Sequence, residues 1–282
     1  MLGVSAKMNR DELRQLIEPL HLRGNHVVVQ TRLASLGHLE GGPAILCEAL
    51  IEAVGPSGTL MMPTFTHTET VRESSANRNP AAPSHRPIPY HADLPVSPEV
   101  GIVAEMFRHM GGVLRSNHPT HSFAAWGRQA REVLSTQRDN NPLGPLKKLN
   151  VMQGQVLLLG TTLQSATIIH LAEERANVPY LGRKTALRIN AGGYEERVVV
   201  ENFPGCSVAF DRLGEYLDPA KVRSTTLPHG EGRKIAVRYL VNLASQLLAN
   251  DPRLFICDSP TCPSCAHKHA AVGTSAAVSG RR

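Results

Sequence analysis

With 282 residues, 41% of them hydrophobic and 19% charged, the chain can bury one large core or two closely packed halves. Its apolar runs, such as that from Val156 to Leu159, are far too short to span a bilayer. A net charge of +6 admits a polyanionic partner, but scattered basic residues and only 4% aromatics argue against a nucleic-acid surface and favour a phosphate-rich cofactor. The N-terminus carries Lys7, Arg10, Asp11 and Glu12 where a signal peptide would be apolar, and the five cysteines are not a secreted disulfide framework. A cytoplasmic protein with reduced thiols is expected.

In chain order, residues 11–20 read as a short helix, followed by an apolar strand at 27–29 and a Gly41-Gly42 break. Apolar residues at helical spacing (Ile45, Ala49, Leu50, Ala53) predict a helix over 44–54, and Gly55-Pro56-Ser57-Gly58 turns it into a strand at 59–62. Residues 63–98, rich in Pro, Ser, Asn and His, read as a substrate-facing loop or lid. A helix starting at Pro98 places Val100, Val103, Ala104 and Phe107 on one face and stops at Gly111-Gly112. A strand at 155–159 ends at Gly160, after which Thr161, Thr162 or Ser165 caps a helix running through His170 to about Ala176. Strands at 185–189 and 197–200 flank a Gly192-Gly193 hairpin turn, and 231–249 is predicted to be helical. The fold class expected is α/β, with one domain over 1–256 and a Cys/His-containing tail over 257–282, small and polar beyond His269.

Two segments carry the chemistry. His118-Pro119-Thr120-His121-Ser122 and Thr167-Ile168-Ile169-His170-Leu171-Ala172-Glu173 each set histidines beside hydroxyl or carboxyl groups at element edges, where a proton-transfer group can be held and still meet a ligand. His170 has its own bland reading, a pair with Glu173 or Glu174 one turn along the helix. For His118 and His121, a structural role inside a turn competes evenly with ligand contact.

Together with Leu33-Ala34-Ser35-Leu36-Gly37, Gly41-Gly42, Met62-Pro63-Thr64-Phe65, Arg115-Ser116-Asn117, Pro142-Leu143-Gly144-Pro145-Leu146 and Leu158-Leu159-Gly160, these segments form a collinear set from Val27 to Ala249. The set resembles the aminoglycoside 3-N-acetyltransferases, the antibiotic acetyltransferase family. The resemblance implies a mixed central sheet flanked by helices and acetyl transfer from acetyl-CoA to an amine, the 3-amino group of 2-deoxystreptamine aminoglycosides. It places His170 at the catalytic-histidine position and suggests Glu201, with Glu173 as runner-up, as the carboxylate that orients it. One departure stands out: family members commonly read His-Ser-Ser where this chain has Gln30-Thr31-Arg32.

A thioester is attacked only by a neutral amine, so a neutral imidazole at position 170 suits the task of removing the ammonium proton. Ser35, Leu36 and Gly37, with Arg115, Lys147, Thr120, His121 and Ser122, are the candidates for coenzyme contact. Glu69, Asp93 and Glu173 are the candidate carboxylates for a cationic amine. The net basic chain leaves a different amine metabolite open as acceptor, and a non-catalytic CoA-binding protein as a second class; a homodimer is also open.

Cys206 follows Pro204-Gly205 near Glu201 and would be the nucleophile of a two-step transfer, though a structural thiol is the commoner case. In the tail, Cys257, Cys262, Cys265 and His267 have the residue types of a compact structural zinc site, read as a staple unconnected with catalysis.

Overall fold

The computed structural model describes residues 7–68, 88–178, 182–266 and 268–269. Strands β1 (His26–Thr31), β2 (Thr59–Pro63), β3 (Leu114–Arg115), β4 (Phe123–Gly127) and β5 (Gln155–Leu159) are joined by helices α1 (Arg10–Ile17), α2 (Pro43–Val54), α3 (Ile102–Arg108), α4 (Ala130–Leu134) and α5 (Gly144–Val151). Helix α6 (His170–Arg175) precedes the hairpin β6 (Arg183–Ile189) and β7 (Glu195–Glu201), and β8 (Val222–Leu227), β9 (Gly230–Ala236) and α7 (Val237–Asn250) follow. Seven strands make one sheet in the order β3-β4-β2-β1-β5-β9-β8, while β6 and β7 pair separately. β1 runs parallel to both β2 and β5, and the outer pairings are antiparallel, so the sheet is mixed.

Both faces of the sheet are buried, which is why β2 and β5 read as unbroken apolar runs. Alternate residues go to opposite sides: Val27, Val29, Leu157 and Leu159 pack with Leu46, Leu50 and Phe107, whereas Val28, Val156 and Leu158 pack with Leu146, Leu240 and Val241.

Three predicted elements change. The helix expected from Pro98 begins only at Ile102, residues 98–100 forming a turn before it. The helix expected over 231–249 begins only at Val237, because residues 230–236 form β9 between β5 and β8 and give backbone hydrogen bonds to both. The helix expected from Thr161 to Ala176 is two short 3-10 turns, Leu163–Ser165 and Thr167–Ile169, before α6 starts at His170. β4 and β8 had no counterpart in the periodicity. Among the described residues no helix is long and apolar enough to cross a membrane.

Candidate active site

The parallel strands β1, β2 and β5 end on the same edge of the sheet, the place where open α/β sheets present groups to ligands. A cleft of about 340 Å³ opens there. Gln30 and Thr31 line it from β1, Met62 and Pro63 from β2, Phe65 and Glu99 from the loop beyond, and Gln164, Thr167 and His170 from the segment after β5. The crossing from β5 is tight. Gly160 has φ +68 and a Cβ there would sit 2.1 Å from Cβ of Ser35, so only glycine lets the two segments meet.

His170 is buried at the first position of α6. Its Nδ1 lies 2.6 Å from Oε2 of Glu173 one turn on, with the Phe210 ring edge-on at 4.7 Å. An ionised carboxylate only accepts, so Nδ1 carries the hydrogen and Nε2 is the basic nitrogen of the neutral ring. Burial pushes the Glu173 carboxyl up, but His170 and Lys268 together outweigh that and hold it below the usual range. Lys268 Nζ hydrogen-bonds the other oxygen, Oε1, and both the lysine and the carboxylate are buried. Glu173 is therefore committed on both oxygens to protein partners, which removes it from the substrate-binding role expected of it.

Glu201 lies elsewhere. It closes β7, pairs with Arg183 at 2.9 Å and is 39% exposed, so the carboxylate found beside His170 is the runner-up, Glu173. The reason is geometric: three residues along a helix bring side chains together, whereas β7 pairs only with β6.

The coenzyme candidates do not gather at the cleft. Arg115 spends its guanidinium inward, donating to the carbonyls of Ala92 at 2.9 Å, Leu94 at 2.5 Å and Thr64 at 2.9 Å and lying over the Tyr90 ring. Ser122 donates to the Thr64 carbonyl at 2.6 Å, and Thr120 Oγ1 is 2.7 Å from Nδ1 of His121. Nδ1 of His118 accepts the amides of Thr120 and His121, and burial, with Lys184 and Arg188 nearby, lowers its pKa to about 3. Burial and the same lysine, with His118 and His170 adding to them, likewise keep His121 neutral, well below the usual range, and its ring meets the cleft residue Phe65 edge-on at 5.0 Å. Lys147 pairs with Glu174 at 2.6 Å. Ser35 donates to the Gly160 carbonyl at 2.9 Å, Leu36 is in the core, and Gly37 faces Pro228. Asp93 lies in a turn held by Arg108, outside the cleft lining, and Glu69 lies outside the described residues.

Two cleft groups were not among the candidate site residues, although Gln30 belongs to the segment that departs from the family pattern. Glu99 presents a carboxylate, 2.7 Å from Nε2 of His67, and its signal was only an acid after Pro98. Gln30 donates to Thr167 Oγ1 at 2.9 Å, while its Oε1 is buried with no hydrogen-bond partner among the described residues.

Behind the cleft, the sulfurs of Cys206, Cys257, Cys262 and Cys265 lie within 4.8 Å of one another. Four thiolates on zinc would sit about 3.8 Å apart at Zn–S distances of about 2.3 Å, so modest contraction closes a tetrahedron. Backbone amides already point at two of the sulfurs, Val208 at Cys206 and Cys257 at Cys265, as thiolate ligands require. Backbone and thiol hydrogen bonds bring Cys262 down to about 7, while burial pushes Cys265 up. The distant Cys206 thus joins the three tail thiols, and His267 lies outside the described residues. Burial also raises the Cys206 thiol, which disfavours the thiolate that a covalent transfer would need.

The arrangement defines an α/β enzyme with a histidine–carboxylate pair at the mouth of the parallel strands. Comparison with known proteins is consistent throughout. The sequence model of the family described as aminoglycoside 3-N-acetyltransferase matches residues 28–249. Aminoglycoside N(3)-acetyltransferase IV of Salmonella sp is 32% identical over 237 residues, covering 83% of this chain and 84% of that protein. Aminoglycoside acetyltransferase AAC(3)-IVa, solved with apramycin as a mutant in which a histidine is replaced by alanine, superposes with a TM-score of 0.76 at 29% identity, over 93% of this chain and 100% of that one. AAC-IIIb, solved as a binary complex with CoASH, shares the fold with a TM-score of 0.75 at 23% identity, over 90% and 100%. The chain belongs to the aminoglycoside 3-N-acetyltransferase family, has the antibiotic acetyltransferase fold, and is an acyltransferase.

Proposed function

We propose that the enzyme transfers the acetyl group of acetyl-CoA directly to an amino group of an aminoglycoside, the 3-amino group of the 2-deoxystreptamine ring. The observation that carries this reading is His170: an imidazole in the cleft wall whose Nδ1 lies 2.6 Å from the Glu173 carboxylate, in a chain that belongs to this family. Nε2 takes the proton of the acceptor amine as its nitrogen bonds the thioester carbonyl carbon; the C–S bond then breaks, and the proton passes to the departing thiolate to give free CoA. Glu99 supplies negative charge for a second ammonium group of the substrate. The sulfur cluster of Cys206, Cys257, Cys262 and Cys265 is a structural zinc site on the same reading.

The test is product analysis. The full chain is incubated with acetyl-CoA and a panel of aminoglycosides, amino sugars and aminophosphonates, with free CoA measured and the acetylated nitrogen identified by NMR. Acetylation at the 3-amino group is expected; turnover confined to the amino sugars or phosphonates would replace the aminoglycoside with another amine.

A further inference from the structure

Near the end of the described residues one charged side chain enters the protein interior. Lys268 is fully buried, and its ammonium meets the Glu173 oxygen that His170 does not use. A buried ammonium is costly unless paired, so the chain beyond Cys265 must be held firmly to keep it there. What holds it is small: an apolar cluster of Ala209, Ile256, Cys257 and Cys265, and Arg212 bonded to the carbonyls of Leu254 and Ile256 and to Asp258. Cys265 lies three residues before Lys268, and both residues have helical backbone. The same segment reaches His170 by a second path, since Phe255 packs on Phe210 at 5.2 Å and Phe210 on His170 at 4.7 Å. The tail is thus joined to the site rather than remote from it, contrary to the expectation from sequence.

We propose that residues 257–269 form a metal-docked strap: an ion held by Cys206, Cys257, Cys262 and Cys265 fixes the turn that carries Lys268 against Glu173, making Lys268 a positioning residue for His170. This rests on His170 being the general base. Lys268 neutralises Glu173 and pins its carboxylate, so that Oε2 faces Nδ1 and the ring keeps the tautomer with a basic Nε2.

The experiment uses the full chain and its Lys268→Met, Lys268→Arg and Cys262→Ser variants, all checked for a cooperative melt. Zinc is measured by mass spectrometry, kcat and KM with acetyl-CoA and an aminoglycoside, and the Nδ1–H proton of His170 by its downfield NMR signal, assigned from its loss in His170→Ala. Expected are about one zinc per wild-type chain and a shifted proton signal with a kcat loss of about tenfold or more in Lys268→Met, with zinc retained and both KM values little changed. Lys268→Arg should keep most of the turnover. Cys262→Ser should lose zinc and reproduce the Lys268→Met signal and rate, and combining the two should cost little more than either alone. An unchanged kcat and proton signal in Lys268→Met, or in zinc-free protein, overturns the proposal, as do losses that simply multiply. Wild-type turnover in His170→Ala would instead sink the base assignment, and the dependence of the Glu173–Lys268 contact on zinc would then be read from the solved structure of Cys262→Ser.

Discussion

Two histidine-bearing segments that look alike in sequence have opposite fates in the fold. In the segment around His118 and His121, the polar groups turn inward: both rings are buried and neutral, and Arg115, Thr120 and Ser122 bond to their neighbours. In the segment around His170, the ring is held from behind by Glu173 while the residue lines the cleft at the ends of β1 and β2. The difference teaches that hydroxyls beside a histidine do not by themselves mark a site: both segments lie at the edge where β2 and β5 end, and what separates them is that the polar atoms around His118 and His121 bond within their own turn and to Thr64, whereas the ring of His170 is backed by a carboxylate and lines the cleft.

That contrast can be broken by substitution. His170→Ala should lower kcat by about 10²–10⁴-fold, measured as CoA release at saturating substrates, whereas a loss that small-molecule bases fully restore would still fit the role. Glu173→Gln comes next: it leaves Lys268 buried without its counter-charge and should cost about 3–5 kcal/mol in chemical denaturation besides slowing turnover. If Glu173→Gln melts and turns over like the wild type, the pair is ornamental.

His118→Ala should act on stability instead, losing about 1–3 kcal/mol by stranding two amides while leaving kcat near normal once folded. It should also change the acid response. The folded ring has a pKa of about 3 against an ordinary 6.5, so on acidification the unfolded chain takes up the proton first. The contribution of His118 is complete above about pH 6.5 and drains away as pH falls toward about 3, and denaturation curves across that window should be less steep in pH for the variant. Equal slopes would contradict a neutral buried ring. The smallest effect is expected for Glu201→Gln, an exposed pair with Arg183, with stability within about 0.5 kcal/mol and unaltered kcat.

Much of the central architecture was legible because it rests on short-range signals. The Gly41-Gly42 break before α2, the apolar runs of β2 and β5, and Gly192-Gly193 between β6 and β7 each declare themselves within a few residues. β9 did not, since Gly230, Gly232 and Lys234 have no strand pattern and become a strand only by pairing between β5 and β8. The site followed the same rule. His170 and Glu173 are one helical turn apart, and their pairing was available as the bland reading of that spacing. Lys268 is separated from Glu173 by 95 residues and Cys206 reaches thiols some fifty residues away, contacts that only the folded chain creates. Arg115 was misread for a physical reason: a cation looks like a phosphate ligand until its donors are counted against nearby carbonyls.

The position of the acceptor nitrogen decides whether His170 is the base. A crystal structure of the full chain with CoA and a 2-deoxystreptamine aminoglycoside should place one amino nitrogen within about 2.6–3.2 Å of Nε2 of His170, in the cleft beside Gln30 and Glu99. An aminoglycoside bound instead in the cavity lined by His118, Arg131 and Arg188, with His170 facing no ligand, would contradict it.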